Sequence, residues 1–200
     1  MLNKTLKIII LSFVFMVISC HNEQVARKPI SQASGSFMKR SIERNKKLVS
    51  SEEGVIDSII KSQPKNKYYA SKRGFWYTYK IQNTLDSITP KRGDVAIFNY
   101  EIKDIKGKII YPETELKTQN YLVDKQNLII GLREGIKLMR KNEKVVFLLP
   151  SHAAYGFRGD TKKIGTNQPI ICTVKLHSFA PEKFIKKENE IIETDSLNEK

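Results

Sequence analysis

Cysteine and histidine are scarce in this chain, with two and three among 200 residues. The cysteines are Cys20 and Cys172, and the histidines are His21, His152 and His177. Nothing places these residues at metal-ligand spacing, and no Cys/His pair stands at the spacing a thiol nucleophile needs, so no metal is expected. Long apolar runs are absent too. The longest, Ile8 to Ile18, is about 11 residues and falls short of the roughly 20 that span a bilayer. Basic charge is plentiful but unclustered. The net charge is +14, with 13 basic and 6 acidic side chains in residues 21–89, 16 and 9 in residues 90–181, and 4 and 6 in the last 19. Nucleic-acid binding wants Lys and Arg gathered in a stripe with aromatics between them, and no such stripe exists, so no nucleic-acid partner is expected. The charge reads as a solvated basic surface suited to acidic partners or anionic lipid. A hydrophobic fraction of 40% is that of a globular chain. The length suits one domain with appendages.

The first twenty residues have the form of a targeting segment. Lys4 and Lys7 precede the apolar run, as in a signal peptide. The run ends Val17-Ile18-Ser19-Cys20, which resembles a bacterial lipobox. That resemblance implies removal of residues 1–19 and acylation of Cys20, and several acyl chains together anchor a protein durably. An ordinary signal peptide, or an uncleaved anchor with a chance cysteine, are the alternatives. With Cys20 acylated, Cys172 has no disulfide partner; in Ile170-Ile171-Cys172-Thr173-Val174 it reads as a small hydrophobe in a strand. The expected location is the cell envelope, at the outer membrane facing the periplasm.

Residues 20–35 are polar and read as a flexible tether. Residues 36–64 form a helical segment in two stretches. In the first, Phe37, Ser41, Arg44 and Leu48 share a face that Met38 and Ile42 extend. In the second, Ser50 or Ser51 caps, Glu52 and Glu53 fill the first turn, and Val55, Ile56, Ile59 and Ile60 recur at helical spacing until Pro64. From Gly74 the texture is β-prone: Phe75 to Ile81, then Val95 to Ile102 with Ala96, Phe98, Tyr100 and Ile102 on one face, then Ile109 to Tyr111, Asn120 to Val123, Val145 to Leu149, and Ile170 to Phe179. Leu128 to Met139 is helical, with Leu132, Ile136 and Met139 on one face. Gly107 marks a hairpin that needs a positive φ. The pattern predicts an α+β architecture in which about six antiparallel strands curve around one short helix, over residues 70–181. Residues 182–200 are charged and read as a disordered tail.

The ordered string Pro90-Lys91-Arg92-Gly93-Asp94-Val95, Phe98-Asn99-Tyr100, Gly107, Asn127-Leu128-Ile129-Ile130-Gly131-Leu132-Arg133-Glu134-Gly135-Ile136, Met139, Pro150-Ser151-His152-Ala153-Ala154-Tyr155-Gly156 and Ile164-Gly165-Thr166-Asn167 resembles the FK506-binding-protein (FKBP) family of peptidyl-prolyl isomerases. It covers about 90 residues. Residues Phe37 to Asp57 and Gly74 to Tyr79 also resemble gliding-motility-associated lipoproteins. The family resemblance implies isomerase activity on proline-containing exported polypeptides, possession of a pocket between sheet and helix, and no cofactor. Some exported relatives dimerise through N-terminal helices, so both a monomer and a dimer stay open. A non-catalytic chaperone or scaffold in an envelope complex is the alternative function.

Carried over position by position, the resemblance implies a pocket of nine residues. Tyr100 and Ile110 are walls, Tyr121 lies on a pocket strand, and Leu128 and Ile129 precede the helix. The Ile129 N–H is the donor to a substrate carbonyl. Leu132 is the floor, Tyr155 supplies a hydroxyl donor, Ile164 belongs to the flap, and Cys172 closes the set. Leu132, Ile110 and Cys172 stand where the family usually has Trp, Phe and Phe, and Tyr111 replaces the usual Asp. Asn142 stands where the family has Gly and suits a left-handed cap. Gly131 is expected just before the helix, where the backbone lies close to the pocket. His152 beside Ser151 offers no nucleophile geometry without a third, orienting group.

Overall fold

The computed structural model describes residues 31–184, and side chains from residue 35 onward. The expected signal peptide, Cys20, most of the tether and the end of the charged tail lie outside the described residues. Among the described residues no helix is long and apolar enough to cross a membrane. Two compact units divide between Glu43 and Arg44.

Helix α1 runs unbroken from Ser31 to Ser62. The sequence suggested two helical stretches preceded by a tether reaching residue 35, and both expectations are corrected. Ser50 and Ser51 continue the helix, because a mid-helix serine costs only a few tenths of a kcal/mol and neither Gly nor Pro stands at that junction. Within residues 1–43, Phe37, Met38 and Ile42 are exposed. Within the second unit the buried helix face consists of Glu52 and Ile56, with Ile59 and Ile60 half-buried. Val55, expected on that face, is exposed.

Strands β1 (Tyr69–Ala70), β2 (Trp76–Ile81), β3 (Asp94–Asp104), β4 (Ile109–Tyr111), β5 (Gln119–Leu122), β6 (Lys144–Leu149) and β7 (Ile170–Pro181) form one seven-stranded sheet. All pairings are antiparallel, in the order β1-β2-β6-β7-β3-β4, with β5 also on β3. The α+β expectation holds with one strand more, the short edge strand β1. Alternation does what the pattern required: Ala96, Phe98 and Ile102 are buried on β3, and Ile170, Cys172, Val174 and Leu176 on β7. Helix α2 is a single turn, Glu113–Leu116.

Helix α3 spans Ile130–Ile136, shorter than the Leu128–Met139 expected. Leu138 and Met139 donate to the carbonyls of Gly135 and Ile136, which is the tighter i→i+3 pattern of a chain leaving the helix. Gly131 therefore lies inside the helix, not before it. A Cβ there would sit 2.4 Å from Leu149 Cδ2, and one at Gly135 would sit 2.7 Å from Phe147 Cε1. The two glycines let the helix lie directly on β6. Asn142 is left-handed as expected, at φ 65°. It serves the turn into β6, donating to the Leu176 carbonyl at 2.8 Å, while Lys137 caps the helix. Gly107 has φ 90°, as its hairpin requires.

Candidate functional site

All nine residues singled out by the sequence lie in, or packed against, one apolar cluster. Burial divides them. Leu132, Ile164, Cys172 and Tyr121 are buried. Tyr100, Ile110, Leu128, Ile129 and Tyr155 are partly buried and rest on that layer. The sheet register explains the gathering. Cys172 on β7 pairs with Ile102 of β3 and with Phe147 of β6, and Tyr100 pairs with Val174, so Tyr100 and Cys172 come from neighbouring rungs of the sheet. Tyr100 packs its ring 5.5 Å from Phe98.

Ile129 occupies the N-cap of α3. Its carbonyl accepts the Arg133 N–H at 3.0 Å. An N-cap N–H lies outside the helical ladder, which leaves it available as a donor. Tyr121 differs from its neighbours: its hydroxyl accepts the Asp124 N–H at 3.1 Å and so serves its own turn.

Burial pushes the Tyr155 phenol well above the ordinary tyrosine value, and Tyr100, Cys172, Asp160 and Tyr111 add to the effect; no hydrogen bond is among the causes. Burial, then Cys172, raises Tyr100 in the same direction. Both phenols therefore stay protonated and able to donate. Burial raises the Cys172 thiol strongly. A buried neutral thiol is a poor nucleophile. Ellman's reagent is accordingly expected to leave Cys172 untouched in the folded protein and to label it in denaturant; rapid labelling of the native protein would contradict its place in the core.

Sequence reasoning missed the contact that ties the flap down. The Tyr111 hydroxyl donates to Asp160 Oδ2. Asp160 Oδ1 accepts the N–H groups of Lys162, Lys163 and Ile164 at 2.8, 2.9 and 2.8 Å. Burial alone would raise the Asp160 carboxyl, but these hydrogen bonds outweigh it and hold the group below the usual aspartate value. The Tyr111 hydroxyl moves the other way, to about 12, chiefly through the bond to Asp160 and then through burial. Gly159, at φ 64°, makes the approach possible, since a Cβ there would meet the Ile164 carbonyl oxygen at 2.2 Å. Lys163 adds an ion pair to Glu115 at 2.6 Å and lies 4.6 Å from the Tyr111 ring centre. The family's usual carboxylate after the wall residue is missing from β4, and one arrives instead from the loop. The one local hint was an Asp followed by small and polar residues, the pattern of a side chain that bonds the backbone two residues on.

Two surface cavities open on the domain. One of about 380 Å³ is lined by Ser71, Arg73, Tyr77, Glu134 and Leu138 among others and touches none of the nine residues. Another of about 320 Å³ includes Ile110 and Lys163. The cluster of nine is the better candidate for the site, because it combines apolar walls with protonated phenols and a free backbone donor, the mixture small-ligand sites use. Among the described residues no group of His, Cys, Asp and Glu could hold a metal ion.

Residues 86–177 match the family model described as FKBP-type peptidyl-prolyl cis-trans isomerase. The chain is 26% identical over 121 residues to a probable FKBP-type peptidyl-prolyl cis-trans isomerase, FkpA, of Neisseria meningitidis, covering 60% of this chain and 44% of that protein. The chain thus spans less than half the length of that relative. In fold it is similar to the crystal structure of FkpA from Escherichia coli, with a TM-score of 0.55 and 22% identity over 89% of this chain and 82% of that one. It is also similar to a peptidyl-prolyl cis-trans isomerase from Pseudomonas syringae pv. tomato, with a TM-score of 0.55 and 21% identity over 68% and 95%. The sheet wrapped on α3 and the matched segment through its strands give one conclusion: residues 86–177 are a domain of the FKBP-type peptidyl-prolyl cis-trans isomerase type.

Proposed function

We propose that the domain isomerises X-Pro bonds in exported polypeptides, with the chain held at the cell envelope through acylated Cys20. Rotation about the amide faces a barrier of about 18–20 kcal/mol. No bond is made or broken, so no acid, base, nucleophile or cofactor is needed. The planar amide is stabilised by resonance, whose charge separation water favours. Apolar surroundings penalise the planar form more than the twisted one. Each ~1.4 kcal/mol of that difference is a factor of ten in rate. Tyr100, Ile110 and Leu128 would seat the proline ring over Leu132, Ile164 and Cys172. The Ile129 N–H and the Tyr155 hydroxyl would hold the flanking carbonyls.

The observation that carries this reading is the half-buried set Tyr100, Ile110, Leu128, Ile129 and Tyr155 resting on a fully apolar layer inside the matched segment. A protease-coupled proline-peptide assay tests it. Tyr155→Phe removes one neutral donor, which is worth about 0.5–1.5 kcal/mol, so kcat/KM should fall about threefold to tenfold while Tm holds. Leu132→Ala should lower both. Absence of any rate enhancement, with proline peptides still bound, would favour the scaffold reading, to which the smaller Ile110, Leu132 and Cys172 lend some support. Exposed Phe37, Met38 and Ile42 are suited to pairing α1 with a second copy. The gliding-motility resemblance of residues 37–57 and 74–79 suggests motility components among the clients.

A further inference from the structure

Glu52 is a charged residue buried to 5% exposure on a helix outside the sheet. Its Oε2 accepts the Ser151 N–H at 2.8 Å, across 99 positions of sequence. Its Oε1 is buried with no partner among the described residues. An unpaired buried acceptor costs stability, and a carboxylate costs more than an amide. Satisfying the buried Ser151 N–H calls for one acceptor, which an uncharged amide would supply as well, so that bond alone does not account for a Glu here, on a helix face whose next buried position, Ile56, is apolar.

The location of the bond supplies a reason. Ser151 is the second residue after the end of β6, and Tyr155 follows four residues later. Between them the backbone holds itself only by tight local bonds: Ala153 and Ala154 donate to Pro150, and Ala154 also to Ser151. Those bonds fix the shape of the turn, and core burial of Ala153 together with the join to β6 seats it from one side. The Glu52 carboxylate is a fixed point outside the turn, on the N–H at its start.

We propose that Glu52 is a positioning residue: through Ser151 it sets the Pro150–Tyr155 turn, and hence the Tyr155 hydroxyl, so that α1 is a working part of the isomerase site. The kinetic half of this inference rests on the isomerase reading above; the positional half does not.

The test uses the full mature chain with two substitutions. Glu52→Gln keeps an amide oxygen for Ser151 and places an unpaired NH₂ where Oε1 was. Glu52→Leu keeps the volume and removes the acceptor. Hydrogen exchange at Ser151 to Tyr155, Tm, and kcat/KM on proline peptides are measured for each. The expected result is that Glu52→Leu speeds exchange across this turn and lowers kcat/KM about tenfold, since small misplacements of a site group carry losses of this order and larger. Glu52→Gln should keep wild-type exchange and kcat/KM, whatever happens to its Tm. A residue that merely stabilised the fold would move Tm in both variants and leave exchange at the turn and kcat/KM of the folded protein unchanged, and that result overturns the proposal. If the wild-type chain shows no isomerase activity, the function proposed above fails, and the exchange pattern alone decides whether Glu52 positions the turn.

Discussion

Phe147→Ala is expected to remove about 4 kcal/mol of stability, read as a lower urea midpoint at unchanged slope. Phe147 is fully buried on β6. Its ring meets Phe75 edge-on at 5.9 Å and Tyr77 at 6.2 Å, and its outer edge lies against the bare Cα of Gly135. Those contacts come from β6, the residue preceding β2, β2 itself and α3, so the void left by the ring cannot close by moving one element. Domains of this kind are stable by only about 5–15 kcal/mol. The unfolded fraction should therefore rise about a thousandfold. The neighbouring glycine sharpens the test. Gly135→Ala alone forces a Cβ to 2.7 Å from the ring and should cost about 1–3 kcal/mol. In the Phe147→Ala background the same methyl enters space the ring has left, so the double substitution should cost less than the sum of the two. Strict additivity would mean that helix and ring do not touch.

That seam was only half legible in the sequence. Period-two alternation in residues 95–102 and 170–176 announced which side chains of β3 and β7 turn inward, because a strand facing one core has no freedom in the matter. Leu132 and Ile136 announced a helix in the same way. The helix ends, however, depend on where the chain must leave to reach β6. Local preference continued the helix through Met139, and the tight turn at Leu138 and Met139 overrode it. The unbroken α1 shows the converse. Two serines and a pair of glutamates make a good helix start when read locally. In the structure the helix runs through them, and Glu52 contributes to the buried face rather than to an end. Glu52 meets Ser151, and Tyr111 meets Asp160, across 99 and 49 positions. No window of sequence contains either pair. The nine candidate site residues were singled out chiefly through a family resemblance. Burial pattern alone would have made Leu132, Ile164 and Cys172 ordinary core.

The flap clamp should be the other large effect. Asp160→Ala deletes the acceptor for three backbone N–H groups and for the Tyr111 hydroxyl at once. Charge-assisted bonds contribute about 1.5–3 kcal/mol each where water cannot replace them. Here Lys162 and Lys163 are exposed and water can stand in, so a net loss near 2 kcal/mol is the expected magnitude. The cost should be local. Amides of Lys162 to Ile164 should exchange fast while those of β7 stay protected, and kcat/KM should fall about tenfold as Ile164 loses its place in the apolar cluster. Tyr111→Phe removes one of the four bonds and should reproduce the change in part, about 1 kcal/mol. The pH dependence has a definite sign. The carboxyl of Asp160 is held below its unfolded value in the folded state. Its contribution is thus complete above the unfolded aspartate value, near 4, and is lost as pH falls through the still lower folded value. The Tyr111 hydroxyl is raised to about 12, so its contribution is complete below the unfolded tyrosine value, near 10, and is lost as pH climbs through about 12. Flap protection should therefore be flat from about pH 4 to pH 10, and Asp160→Ala should abolish the acid step while lowering the plateau. A flap whose exchange protection ignores both substitutions would show that some other contact holds it in place.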